Sequence, residues 1–212
     1  MTEKFQELME VPKWKGKQRR IGLTGGIASG KSSVGIFLKE IKGLPILDAD
    51  VLSREVLAPN TMFSKTIIER YKNQITTGNK EIINRKSLAK IIFSNKEERI
   101  WIENLLHPII YKNLLKEIEN YKKSPTVILI IPLLFEANFT SICNEIWMVN
   151  CTEEQQYERL MKRDGLTKKE AKKRIKAQWP LEKKRRLADV IIDNSKDPDK
   201  WMNQINLLLE KN

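Results

Sequence analysis

Residues 20–32 read Arg20-Ile-Gly-Leu-Thr-Gly25-Gly-Ile-Ala-Ser-Gly30-Lys31-Ser32. A short apolar run ends in glycines, and the segment behind it spaces Val34, Phe37, Leu38 and Ile41 at i, i+3, i+4 and i+7, the pattern of one helical face. The reading is strand, glycine turn, helix. The turn satisfies G-x-x-x-x-G-K-[ST], in which successive backbone N–H groups and a helix N-terminus cradle phosphates. In that chemistry Lys31 reaches the terminal phosphates of a nucleoside triphosphate and the Ser32 hydroxyl ligates Mg²⁺. Gly26, Ile27, Ala28, Ser29, Gly30, Lys31, Ser32 and Ser33 are the expected ATP-binding loop.

Further strands follow along the chain. Pro45-Ile-Leu-Asp-Ala-Asp50 is a second strand leading into a helical pattern. Thr126 to Pro132, Glu145 to Cys151 and Asp189 to Asp193 are strand-length apolar runs, the first two continuous as in parallel strands buried on both faces. Strands alternating with helices predict a three-layer α/β core, closed by a last helix with Trp201, Ile205, Leu208 and Leu209 on one face. Two inserts between the strands, at about 55–122 and 158–186, read as all-helical. The first has a turn near Gly78, a helix capped by Asn84, and a helix starting at His107-Pro108. The second is bracketed by capping boxes at Thr152 and Thr167, with a turn at Asp164-Gly165.

The chain has 212 residues, a formal charge of +12 and 41% apolar residues. The length supports a sizeable core and the composition argues against disorder. Uninterrupted apolar stretches stop at about nine residues, whereas a membrane helix needs about 20, so no membrane span or membrane partner is expected. The opening Met-Thr-Glu-Lys has no apolar leader pattern, and a cytoplasmic protein is expected. Cys143 and Cys151 form no CxxC pair and read as small core residues.

The positive charge is concentrated. Residues 158–186 carry thirteen basic and four acidic groups, residues 1–20 six basic and three acidic, and the remainder is neutral. A single basic segment on a balanced protein points to local phosphate binding, not to a nucleic-acid partner. Within it, Arg159 and Arg163 share a helical face just before the Asp164-Gly165 turn. Their guanidinium forks could close over a triphosphate, or they could be solvated helix charges. Asp48 and Asp50 also carry two readings. Period-2 spacing would aim both carboxylates at the sheet's ligand edge, where one could take the proton of an acceptor hydroxyl. Alternatively, Asp50 N-caps a helix beginning near Val51 while Asp48 organises a metal's water shell.

From Ile21 to Ser195 the sequence resembles the dephospho-coenzyme A kinases. The resemblance rests on Leu23-Thr-Gly-Gly-Ile-Ala-Ser-Gly-Lys-Ser, Asp48-Ala-Asp50, Asn84-Arg-Lys-Ser-Leu, Leu106-His-Pro-Ile and Ile131-Pro-Leu-Leu-Phe-Glu136. It continues in Glu158-Arg-Leu-Met-Lys-Arg-Asp-Gly-Leu-Thr, Arg174-Ile-Lys-Ala-Gln178 and Ala188-Asp-Val-Ile-Ile-Asp-Asn194. It implies a P-loop core with a five-stranded parallel sheet (21–54, 123–157 and 187–212), a helical coenzyme-binding insert (55–122), a basic lid (158–186) and an N-terminal extension (1–20). The implied reaction is phosphorylation of the ribose 3′-hydroxyl of dephospho-coenzyme A by ATP with Mg²⁺, the last step of coenzyme A synthesis. By position, Asp50 is the implied base, with Lys31 and the lid arginine Arg163 as its catalytic partners. Arg85, His107 and Arg159 are implied to serve the substrate, and Asn194 to lie near the adenine. His107 equally fits a plain helix-start histidine. Ala28 replaces a usual glycine and fits if its φ is negative; Ser33 replaces threonine and Asn84 aspartate.

Overall fold

The computed structural model describes residues 13–14, 16–77 and 79–210. Most of the N-terminal extension, residues 1–12 and 15, and the expected turn residue Gly78 lie outside the described residues. Five strands form one all-parallel sheet: β1 (Arg19–Gly25), β2 (Ile46–Asp48), β5 (Thr126–Ile130), β6 (Glu145–Asn150) and β7 (Val190–Asp193), in the order β2-β5-β1-β6-β7. β1 is central, pairing Ile21 with Ile128 on one side and with Glu145 on the other. Strand alternation splits the apolar runs between two cores. Ile21, Leu23, Ile128 and Ile130 pack with Trp201 and Ile205 of the last helix, whereas Val127, Leu129 and Ile131 pack under the first insert. Cys151 is buried, Cys143 half-buried, and burial raises both thiol pKa values, Cys143 to about 12.

β1 begins at Arg19, inside the expected extension. Arg19 is buried, its Nε 2.7 Å from Glu145 Oε2, and its guanidinium lies over the Trp14 ring at 4.7 Å. A buried charge needs such a partner to offset its desolvation.

The helices in chain order are α1 (Lys31–Ile36), α2 (Ala49–Val56), α3 (Met62–Tyr71), α4 (Arg85–Ser94), α5 (Lys96–Asn120), α6 (Glu153–Asp164), α7 (Lys168–Lys176), α8 (Leu181–Arg185) and α9 (Pro198–Glu210). α1 widens at once into a π-helical turn, Phe37–Ile41, and this shift of phase rotates Ile41 off the expected apolar face to 67% exposure. The caps at Asn84, Thr152 and Thr167 form as expected.

Two expectations for the first insert are corrected. It is not all-helical, because β3 (Thr76–Thr77) and β4 (Asn79–Ile83) pair antiparallel within it. Nor does a helix start at His107. Pro108 sits inside the 25-residue α5, which is capped by Asn95. An interior proline costs about 3 kcal/mol, yet Ile102, Leu106, Ile110, Leu114 and Ile118 are all buried along this helix, each contributing about 1.5–3 kcal/mol. Burial outweighs the lost hydrogen bond. Among the described residues no helix is long and apolar enough to cross a membrane.

Candidate active site

The glycine turn leaves the C-terminal end of β1 and feeds α1. Gly30 has φ +102°, and a Cβ there would lie 2.0 Å from Asn194 Nδ2. Gly26 is packed as closely, since a Cβ would meet Gln156 Nε2 at 2.3 Å. Ala28 has φ +58°, so the negative φ under which an alanine fits here is not met. A left-handed alanine costs about 1–2 kcal/mol, so the surroundings must hold the loop in shape. They do so at the preceding residue. The Ile27 N–H donates to Gln178 Oε1 (2.7 Å) and the Ile27 carbonyl accepts from Gln156 Nε2 (2.7 Å).

Lys31 folds back across the loop, its Nζ donating to the carbonyls of Gly25 (3.1 Å) and Gly26 (2.8 Å). Burial, with help from the nearby Lys184 and against the pull of Asp50, brings its pKa down to about 8. A bound polyphosphate favours the ammonium form. Affinity for ADP is therefore expected to be flat below about pH 8 and to weaken by up to tenfold per pH unit above it. Calorimetric titrations between about pH 6.5 and 9.5 check this, and a Kd that does not rise above pH 8 removes Lys31 from the phosphate site.

At the end of β2 the two acids divide their roles, and neither sequence reading of Asp50 as a cap or as a strand residue holds. Asp48 caps α2, its Oδ1 accepting from the Asp50 N–H at 2.8 Å. Asp50 stands in the first turn of the helix with its side chain on the cavity. Crowding by protein, and then the neighbouring Asp48, raise its pKa, opposed by Lys31, Arg54 and Arg163.

Arg159 and Arg163, one turn apart on α6, both face the same space. Arg163 pairs through Nε with Asp164 Oδ1 at 2.7 Å, and Asp164 also binds Arg174, which ties α6 to α7. Arg159 Nη2 donates to the Asn194 carbonyl at 3.1 Å, while its Nη1 is buried without a hydrogen-bond partner among the described residues.

One cavity of about 950 Å³ gathers Ile27, Ala28, Gly30, Lys31, Ser32, Asp50, His107, Arg159 and Arg163. Its other half is apolar, walled by Leu57, Leu88, Ile92, Ile102, Ile110 and Phe139, with Arg99 and Glu103 among them. His107 meets the Phe139 ring edge-on at 5.9 Å, and burial lowers its pKa against the pull of Glu136. Gly26, Ser29, Ser33, Arg85 and Asn194 do not line this cavity. Arg85 is exposed, 3.4 Å from the Arg54 carbonyl. Asn194 is buried behind the loop, donating to the Ser29 carbonyl at 2.9 Å.

Sequence reasoning gave no role to Gln156, Gln178, Glu136 or Lys184. Lys184 is fully buried, with Nζ 2.8 Å from Glu136 Oε1 and 3.1 Å from the Pro132 carbonyl. Two of these, Glu136 and Gln178, stood at the ends of quoted motifs, which was the available signal.

The family model described as dephospho-CoA kinase matches residues 19–199. The chain belongs to the dephospho-CoA kinase family. It is 56% identical over 202 residues to the dephospho-CoA kinase of a strain of Prochlorococcus marinus, covering 94% of this chain and 96% of the relative. It is 49% identical to that of a Synechococcus species, covering 91% and 93%. Among solved structures it is similar to the dephospho-CoA kinase of Campylobacter jejuni, with 26% identity, TM-score 0.65 and coverage of 91% and 96%. A crystal structure from Thermus thermophilus has 29% identity, TM-score 0.75 and coverage of 92% and 97%. ATP-dependent phosphorylation of dephospho-CoA, a step of coenzyme A biosynthesis, is the activity of dephospho-CoA kinases. A shikimate kinase at 18% identity and TM-score 0.53 shares the fold alone.

Proposed function

We propose that this chain transfers the γ-phosphoryl group of ATP to the ribose 3′-hydroxyl of dephospho-CoA. The observation that carries this reading is the two-sided cavity: one half lined by the P-loop, Lys31, Asp50 and two arginines, the other an apolar wall built by the helical insert. A nucleotide phosphate suits the first, and an acceptor with a long arm of methylene and methyl groups interrupted by a few polar groups suits the second, where Arg99 and Glu103 stand among the apolar side chains. In this reading 21–54, 123–157 and 187–212 form the nucleotide-binding core, 55–122 the acceptor insert and 158–186 the lid.

Asp50 accepts the proton of the 3′-hydroxyl as its oxygen attacks phosphorus. Its raised pKa brings the base closer to working pH, which favours proton transfer. Lys31 neutralises charge on the transferring group, and Arg159 and Arg163 supply guanidinium donors from the lid side. The Ser32 hydroxyl, a hard oxygen donor on the cavity wall, fits Mg²⁺ alongside the phosphates. Among the described residues no cluster of three acids, histidines or cysteines would hold the ion by protein alone. When bound, Mg²⁺ withdraws negative charge from the β- and γ-phosphate oxygens. Asn194 serves the nucleotide indirectly, by holding the loop at Ser29.

The test offers the protein Mg-ATP with a panel of hydroxyl acceptors and identifies products by mass and by the position of the new phosphate. Dephospho-CoA is expected to give the highest kcat/KM. Faster phosphorylation of nucleosides or nucleoside monophosphates would refute the reading.

A further inference from the structure

Gln178 lies in the short link between α7 and α8, far in sequence from the loop it touches. It lines the cavity, and its Oε1 accepts the Ile27 N–H. A primary amide has its oxygen and its NH₂ at opposite corners of one plane, so committing the oxygen to Ile27 fixes the NH₂ as the other end. Among the described residues no protein acceptor engages that NH₂ group. Two neutral donors thus sit at Ile27 of the phosphate loop, in the cavity that Lys31 also lines.

The link that carries Gln178 is held from several sides. Glu136 Oε1 accepts both the Trp179 N–H (2.9 Å) and the Lys184 ammonium (2.8 Å). Lys184 also donates to the Pro132 carbonyl, and Pro132 lines the cavity as well. A buried ion pair is a poor way to add stability, since well-packed apolar residues do as well or better. What it supplies is direction: one carboxylate oxygen fixes the residue next to Gln178 and, through Lys184, the body of α8 at the same point. Gln156 completes the clamp from α6, gripping the Ile27 carbonyl.

We propose that Gln178 is a further catalytic residue of the phosphoryl transfer proposed above, its NH₂ donating to an oxygen of the transferring group, with Glu136 and Lys184 as its positioning residues. The inference rests on that reading of the site. No proton or bond changes at Gln178. It stabilises charge that develops in flight, as a preorganised donor does.

The test compares Gln178→Glu with Gln178→Ala. The glutamate still accepts the Ile27 N–H but has no NH₂ and sets a negative charge toward the phosphoryl group. If Gln178 only ties the loop and the far corner of its amide lies away from the phosphates, Q178E keeps turnover and Q178A loses it. If it donates to the phosphoryl, the order reverses. Expected is a kcat for Q178E at least about 10²-fold below wild type and below that of Q178A, with melting temperature unchanged. Q178E turning over faster than Q178A overturns the proposal. Wild-type enzyme that fails to phosphorylate dephospho-CoA in the same assay overturns the functional reading instead. Lys184 provides a second line. K184R is expected to retain turnover, and K184M to lower kcat with KM for ATP little changed. A folded K184M enzyme with wild-type kcat removes the positioning role.

Discussion

Asp50→Asn is expected to slow turnover by about 10² to 10⁴-fold, or about 3 to 5 kcal/mol of barrier, while the protein folds as before. The structure makes this substitution clean. Asp48, not Asp50, caps α2, so no cap is lost when Asp50 changes. The carboxylate at position 50 gains from the helix N-terminus, by about 0.3–1 kcal/mol, but is held ionised against crowding and the repulsion of Asp48. An amide of the same shape gives up the first and is spared the second, so the melting temperature should barely move. The sign of the pH effect follows from the raised pKa. A base must be unprotonated to act, so kcat/KM falls as pH drops through a value above the ordinary carboxylate range, and D50N loses that limb. Asp48→Asn is the control, because asparagine caps as well as aspartate and rates should stay within a few-fold. Turnover of folded D50N within a few-fold of wild type would show that no base is needed at this position.

The core was legible in the sequence because its signals are local. Continuous apolar runs such as Val127 to Ile131 have one stable home, a strand covered on both faces, and G-x-x-x-x-G-K-[ST] fixes where the central strand ends. Errors arose where tertiary packing overrules a local rule. Pro108 reads as a helix start, yet the buried row from Ile102 to Ile118 carries the helix through it. Ala28 reads as tolerable with a negative φ, yet the grip on Ile27 holds a loop that turns it left-handed. The short pairing of β3 with β4 has too few residues to show a period.

The site was half legible for a related reason. Lys31, Ser32, Asp50, Arg159 and Arg163 carry charge or sit in a motif, so their chemistry announces itself, and one cavity brings them together. Lys184 hides in a run of lysines and arginines that otherwise faces solvent, and its partner Glu136 is 48 residues away. Gln156 and Gln178 carry no charge, and each grips a backbone group of Ile27 that only the fold brings near. Arg85 shows the converse: a motif position that the fold leaves on the surface, against the Arg54 carbonyl.

Lys31→Met is expected to cut kcat by about 10²-fold or more and to make the folded protein more stable. Both effects have one origin. The ammonium sits on the carbonyls of Gly25 and Gly26, in surroundings that burial, Lys184 and Arg163 make hostile to positive charge. A lysine whose folded pKa lies near 8, below its unfolded value of 10.5, binds its proton less tightly in the native state. Below pH 8 the charge therefore opposes folding, and an apolar stem of similar length removes that opposition. The melting temperature at pH 7 should rise, and the gain should shrink as pH climbs past 8 and vanish above about pH 11.5, where wild-type Lys31 is neutral in both states. Catalysis moves the other way. Transfer of a phosphoryl group spreads negative charge over its equatorial oxygens and the leaving oxygen, and a cation the fold tolerates poorly is placed to meet it. The pH-dependent weakening of ADP binding should disappear in the same variant. A Lys31→Met protein that keeps wild-type kcat, or that melts lower than wild type at pH 7, would refute the strained-cation account.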